Sequence, residues 1–319
     1  MSRTEERLKE RGGGQQDSLD GELRPNPRRS RLQGREKWVA LVLLAPSAIG
    51  FLFFWILPTI RAFHYSMTDF NLLSDPNFIG FDNFREMFGD SGMWNSLRVT
   101  IYFVLGNVII GTSLALISAA LMQRLRLKSW VRSAMLLPWL VPNVAIALVW
   151  AWLLDANLGF VNQLFRNLGI PTLSFFNETQ AMPMIIGIAV WAGLGYTSLL
   201  LFAGMTQVPV EQYEAGAIDG ASETRMFFKI TLPLIRPVLA LVLVLSAIGS
   251  FQVFDIVLIG YDASPIPAVR VIFFFIYQNA FSFFRMGYAS AVAIFLAIIL
   301  GALTMIQMRL MRANRSDLS

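Results

Sequence analysis

From Pro183 to Phe254 the chain reads PMIIGIAVWAGLGYTSLLLFAGM, then TQVPVEQYEAGAIDGASETRMFFKITLPLIR, then PVLALVLVLSAIGSFQVF. Two runs without Asp, Glu, Lys or Arg enclose a polar loop, and each run approaches the about 20 apolar residues that cross a bilayer core. Four further runs share this character: Trp38–Ile60, Val99–Met122, Ser133–Leu154 and Met286–Met308. The pattern predicts an all-α integral membrane protein with six transmembrane helices. Val271–Phe284, bounded by Arg270 and Arg285, is short for a span and suits a re-entrant or surface helix, with a seven-span arrangement as the alternative.

Composition agrees. Of the 319 residues 55% are hydrophobic and only 15% charged, well under the roughly 25% usual in soluble domains. The chain has no cysteine and one histidine, His64. Disulfide scaffolds, Cys/His metal sites and cysteine nucleophiles are therefore excluded, and His64, between Arg61 and Tyr65, suits an interfacial position better than catalysis. The net charge of +5 reflects membrane topology and not a nucleic-acid partner, because no aromatic-interleaved basic module is present.

Lys and Arg set the orientation. Twenty of the 26 fall before the first run, between the second and third, between the fourth and fifth, or after the sixth. The remaining six, Arg61, Arg85, Arg98, Arg166, Arg270 and Arg285, fall on the other side. Both termini are thus expected in the cytoplasm of a multi-pass protein of the plasma (inner) membrane. Trp38, Trp55, Trp94, Trp130, Trp152 and Tyr65 sit near span ends, as interface aromatics do. Residues 1–37 read as a disordered cytoplasmic tail whose basic end, Arg28 to Lys37, meets lipid headgroups. Residues 38–308 form the spanning domain and 309–319 a cytoplasmic C-terminal tail. Trp38–Ile60 is too long for a cleaved signal and is read as retained.

The loop at 206–236 predicts a helix–turn–helix. Pro209 suits a first helical position, and Glu211 and Glu214 sit at the helix end that favours anions. Val210, Tyr213 and Ala217 fall on one face, Gly220 interrupts, and Asp219 or Ser222 caps a second short helix that stops before Pro233. Small residues crowd the turn. A docking surface and an amphipathic connector lying on the membrane fit this pattern equally.

Glu214-Ala215-Gly216, Gly220, Ile230, Leu232 and Pro233 resemble the EAA loop of the membrane subunits of bacterial ABC importers, where EAA-x3-G-x9-I-x-L-P recurs; Asp219-Gly220-Ala221 and Pro209 fit its carbohydrate version. The third alanine is glycine here. Ala45-Pro46-Ser47 through Pro58, Ser66–Phe70, Phe78–Phe84 and Met286–Ala291 are similar to the maltose- and glycerol-phosphate-type permeases. Phe254-Asp255 also fits, but Ile259–Pro265 replaces the family's Thr-Gly-Gly-Gly-Pro turn. The resemblance implies a type I importer fold and a permease, not an enzyme, that forms half of a carbohydrate pathway. It implies a second permease, commonly a different chain, two ATP-binding subunits that hold ATP and Mg, and an extracytoplasmic solute-binding protein. Glu214, Ala215, Gly216, Asp219, Gly220, Ala221, Ile230, Leu232 and Pro233 would then couple to the ATPase. Independently, no Gly-Lys pair occurs in the chain, so it has no Walker A phosphate cradle and no cofactor of its own is expected.

The candidate pathway residues are uncharged. Ser246 and Ser250 lie four apart on the fifth span with Gln252 nearby, and Gly193 and Tyr196 share a face of the fourth. Hydroxyls and an aromatic face suit a sugar, although small polar residues are also ordinary helix-packing groups in membranes. Asn107 and Asn143 are weaker candidates. A glycerol-phosphate or polyol importer is the first alternative. A secondary transporter is the rival class, but coupled carriers usually need intramembrane carboxylates, and the one available, Asp255, reads as a helix-end residue.

Overall fold

The computed structural model describes residues 27–172, 174–175, 177–260 and 267–313. These residues are predominantly helical, and the one β pairing among them is the isolated bridge between Thr68 and Phe78. The chain divides into two units, 1–61 and 62–319.

The first unit contains the helix Pro27–Phe51, a π turn over Leu52–Ile56, and the start of Leu57–Tyr65. Residues 27–37, expected as disordered tail, are helical. The rest of the expected tail lies outside the described residues.

Among the described residues the second unit has four helical stretches long and apolar enough to cross a membrane, Ser91–Arg124, Ala181–Met205, Arg236–Leu258 and Met286–Arg309, and Trp38–Tyr65 is a fifth. Ser91–Arg124 buries Phe103, Thr112, Ala115, Ala119 and Met122 against its neighbours and exposes Leu105, Ile109 and Ile117. An apolar outer face of that kind needs lipid or another chain as its solvent. This helix packs most extensively along Ala181–Met205, and Gly106 permits the contact, since a Cβ there would stand 2.7 Å from Ile186 Cδ1.

The expected third span is broken. Ser129–Met135, Leu137–Leu140 and Asn143–Leu153 are separate helical pieces. Pro138 and Pro142 supply no backbone N–H and disfavour helix in the residues before them. The fifth span also breaks, into Arg236–Phe251 and Asp255–Gly260 with residues 252–254 non-helical. The short run at 271–284 forms Ile272–Tyr277 and a π turn over Gln278–Ser282. Ile272 and Phe275 are buried there with Met87, Met93 and Tyr288, so one side of this segment packs into the protein, while Tyr277, Phe281, Phe283 and Phe284 stay exposed. The last helix, Met286–Ala313, extends into the expected C-terminal tail, whose final residues lie outside the described ones.

The segments that resembled permease sequences before the second span and at the start of the last are tied together. Asn83, 6% exposed, donates from Nδ2 to the carbonyls of Ser66 and Thr68 at 2.9 and 2.8 Å. Gly287 N donates to Phe70 O at 2.8 Å, and a Cβ on Gly287 would stand 2.1 Å from Thr68 O. Tyr288 donates to Asp90 at 2.6 Å, while Asp90 also caps Ser91–Arg124 by accepting from Gly92 N at 2.7 Å. Nearby, the hydrogen bonds from Asn77 hold the Asp69 carboxyl below its usual value, and the backbone N–H groups of Leu158 and Asn157 do the same for Asp155. Both carboxylates therefore favour the folded loops at neutral pH, a contribution lost as pH falls through their lowered values.

Asn83→Ala strands two buried carbonyls, each worth about 1–3 kcal/mol when left without a partner. It is expected to lower the thermal midpoint of the purified chain clearly, whereas Asn77→Ala, on the exposed side of the same loop, shifts it far less. Equal shifts would contradict the latch.

Candidate functional site

Two regions bring the candidate residues together. The first is a cavity of about 600 Å³ between the second to fifth spans, at whose walls Gly193, Tyr196, Ser246, Ser250 and Gln252 all lie. These positions come from two helices separated by the long loop, so their convergence is a tertiary result. Both helix breaks open onto the same space: Val141, Pro142 and Asn143 line it from the third span, and Gln252 to Asp255 from the fifth. Non-helical backbone at membrane depth is tolerated where it faces protein or a polar cavity.

The side chains at the cavity do different things. Ser250 is 4% exposed, accepts from Asn107 Nδ2 at 2.8 Å and donates to the Ser246 carbonyl at 2.6 Å. Its hydroxyl is thus committed to joining two spans. Tyr196 lies flat against Trp139, with ring centroids 4.4 Å apart and planes 7° apart. Trp139 remains 48% exposed, so the pair offers an aromatic platform at the wall. Asp255, half-buried, is a charged residue on this lining, and not only the helix-end residue that its position in sequence suggests.

Sequence reasoning missed Trp139 and Gly195. A Cβ on Gly195 would stand 1.7 Å from Met135 O, so glycine is what lets the broken third span lie directly on the fourth. That approach places Trp139 over Tyr196. Gly193 and Gly249 instead have no atom within 4 Å of the Cβ position, and their missing side chains leave room in the cavity. Pro138 and Pro142 were the available signals for the break; nothing local marks Gly195.

The second region is the loop. Val210–Ile218 is a helix, and its end is a Schellman turn: Ala221 N bonds Gly216 O at 2.9 Å, and Gly220 N bonds Ala217 O at 3.1 Å. Gly220 has φ +69° and open space around its Cβ position, so within this chain the requirement is the left-handed backbone and not a close approach. Ser222, not Asp219, caps the next helix, Glu223–Met226, by accepting from Arg225 N. That helix does not stop before Pro233. It continues through a π turn, Phe227–Thr231, into Leu232–Leu234. The same arrangement precedes Pro58, where the π turn ends at Ile56. In both places the widened turn contains the residue four before the proline, whose carbonyl an α-helix would drive into the ring.

The loop's inward face also differs from expectation. Tyr213 and Gly216 face the spans, whereas Val210 is 64% exposed and Ala217 is exposed. Tyr213 Oη and Thr231 Oγ1 share a hydrogen bond of 2.9 Å. A Cβ on Gly216 would stand 3.0 Å from Ile230 Cδ1 and 3.3 Å from Met226, which accounts for glycine at the third position of the EAA-like motif. Glu214, Ala215, Asp219 and Gly220 are exposed, Ala221 is partly covered, and Leu232 and Pro233 are half-buried. The loop thus packs Tyr213 and Gly216 inward and presents Glu211, Glu214 and Ile218 outward.

At Gly193 a Cβ has open space, and the rest of a leucine side chain in Gly193→Leu would extend into the cavity. Membrane insertion is expected to stay normal while transport falls at least tenfold. Gly195→Ala is expected to lower both folding yield and transport, because the third span must shift. Normal transport by inserted Gly193→Leu would remove the cavity from the pathway.

Residues 107–316 match the family described as binding-protein-dependent transport system inner membrane component. The chain is 32% identical over 286 residues to the probable ABC transporter permease protein YesP of Bacillus subtilis, covering 88% of this chain and 92% of that one. It is 31% identical to the sulfoquinovosyl glycerol transport system permease protein SmoG of Agrobacterium fabrum, over 88% and 92%. It is 30% identical to the sn-glycerol-3-phosphate transport system permease protein UgpA of Shigella dysenteriae serotype 1, over 88% and 96%. A solved bacterial ABC transporter that imports the acidic polysaccharide alginate shares the fold, with a TM-score of 0.77, 23% identity and coverage of 89% and 99%. The chain belongs to the inner-membrane permease components of binding-protein-dependent ABC transport systems.

Proposed function

We propose that this permease forms half of an ATP-driven import pathway for a carbohydrate, with a second and different permease chain as the other half. The observation that carries this reading is the convergence of Tyr196, Ser246, Gln252, Asn107 and the Trp139 platform on one cavity at the breaks of two spans. Sugar rings place C–H faces on aromatic rings and hydroxyls on amide and hydroxyl partners, and among the described residues the Tyr196, Ser246 and Gln252 side chains have no hydrogen-bond partner inside the chain. Asp255 at the wall would accept from hydroxyls and would repel a phosphate or sulfonate. A neutral, hydroxyl-rich solute is therefore the first reading. A glycerol-phosphate or polyol solute is the second, favoured by the identity to the glycerol-3-phosphate permease.

Energy enters through the loop at 206–236. Two ATP-binding subunits, which hold ATP and Mg, dock on the outward face of Val210–Ile218 from the cytoplasm, the side that also holds both termini. Glu214 meets a basic residue of the ATPase, and Ile218, 87% exposed, fills an apolar part of the groove. When the ATPases close, the helix moves, and its ties through Tyr213 to Thr231 and through Gly216 to Ile230 pull on the chain that leads into Arg236–Phe251 and the cavity. An extracytoplasmic binding protein delivers the solute to the opposite face. Secondary transport is set aside by the family, and ATP is the energy source proposed here.

Removing one member of a desolvated charge pair costs about 2–5 kcal/mol, whereas an exposed pair is worth about 0–1 kcal/mol. Glu214→Ala is therefore expected to weaken ATPase co-purification and reduce uptake at least tenfold with insertion intact. Because the Gly220 constraint is positive φ, Gly220→Asn is expected to retain clearly more uptake than Gly220→Val. Normal co-purification and uptake in Glu214→Ala would overturn the docking role, and equal loss in the two Gly220 variants would overturn the backbone explanation.

A further inference from the structure

The cytoplasmic end of Ser91–Arg124 carries a second concavity that the transport reading leaves unused. Ile117, Leu121 and Arg124 line one side of a cleft of about 520 Å³, and Met226, Phe227 and Phe228 from the latter half of the loop line the other. Ile117, Leu121 and Phe228 are 56%, 47% and 59% exposed. The cleft is continuous with the bilayer-facing side of the span, because Ile110, Leu114, Ile117 and Leu121 are all exposed and follow one another at helical spacing. At its mouth the character changes. Arg124 pairs with Glu223 at 3.1 Å with both side chains about two-thirds exposed. Arg126, in a left-handed turn at φ 47°, and Lys128 follow as exposed cations, and Trp130 is 70% exposed beside them.

An apolar trough beside the exposed face of the span, with the Arg124–Glu223 pair on its lining and exposed Arg126, Lys128 and Trp130 following within six residues in the chain, matches one kind of molecule: an amphiphile with an acyl chain and an anionic head. We propose that the cleft binds an anionic phospholipid of the cytoplasmic leaflet. One acyl chain lies along Ile117 and Leu121 against Phe227 and Phe228, and the phosphate accepts charge-assisted hydrogen bonds from Arg124, Arg126 and Lys128. Arg124 divides its donors between the phosphate and Glu223. Because the far wall belongs to the coupling loop, a seated lipid braces that loop against the second span. The proposal depends on the loop facing the cytoplasm but on neither the solute nor ATPase docking.

The test uses the full-length chain in membranes containing phosphatidylglycerol with a diazirine in one acyl chain, or phosphatidylcholine with the same chain. After irradiation and digestion, the glycerol lipid is expected to label Ile117–Arg124 and Met226–Thr231 at least threefold more than the choline lipid. Ala120→Trp, which fills the cleft, is expected to remove that label while labelling of Trp38–Tyr65 persists, which reports intact insertion. Arg126→Gln combined with Lys128→Gln, at exposed positions, is expected to keep the cleft label and abolish the preference for phosphatidylglycerol. Equal labelling by the two lipids in the unmodified chain, or labelling unchanged by Ala120→Trp, overturns the proposal. So does a photoreactive residue at position 228 that crosslinks to another protein chain in the assembled transporter, since the cleft is then filled by protein.

Discussion

The absence of water in a bilayer core governs this molecule. A backbone N–H or C=O left unpaired in hydrocarbon costs several kcal/mol, so a spanning helix can break only where the freed groups face something polar. Two of the spans break, at Val141–Pro142 and at Gln252–Phe254, and both breaks line one cavity. The polar lining, the aromatic platform and the room for a solute follow from that coincidence. The remaining contacts serve to hold the breaks against each other: Gly195 under Met135, Asn107 on Ser250, and Asn143–Leu153 packed on Asp255–Gly260.

The loop is joined to this centre by a short mechanical path. Tyr213 bonds the buried Thr231, Gly216 admits Ile230, and Ile235, 1% exposed, is clamped in the core at the junction with Arg236–Phe251. Between them lies a π turn that accommodates Pro233 without ending the helix. A helix that ended at Pro233 would put a flexible joint between the loop and the fifth span. The wider turn instead carries the helix past Pro233 to Leu234, and the one turn residue between it and Arg236–Phe251 is the buried Ile235.

Much of this was legible in the chain, for physical reasons that separate the legible from the hidden. The six runs are visible because a charge at the bilayer centre is costly, so its absence over the length of a span is informative. Gly220 is visible because a left-handed position nearly demands glycine, and the Schellman bonds confirm the turn. The loop's inward face was only half legible: Tyr213 points in, but Val210 does not, because that apolar face is offered outward. The break at Val141–Pro142 was obscured by composition, since Ser133–Leu154 is uniformly apolar and proline is compatible with a kink or an interruption. Gly195 and Trp139 had no local signal at all. Their roles depend on which backbone and which ring lie opposite, and those neighbours are far away in sequence. Residues 27–37 lie within the helix Pro27–Phe51, although their charge content argues for disorder.

The proposed pathway is the cavity, opened alternately to the two sides by the loop. Because the chain has no cysteine, Ser246→Cys gives a single reporter at the cavity wall. In the assembled transporter, its reaction with a membrane-impermeant thiol reagent should be strong from the cytoplasmic side without nucleotide. It should pass to the outer side when a non-hydrolysable ATP analogue traps the ATPases closed, and Glu214→Ala should abolish the exchange. Reactivity from one side that nucleotide leaves unchanged would contradict the claim.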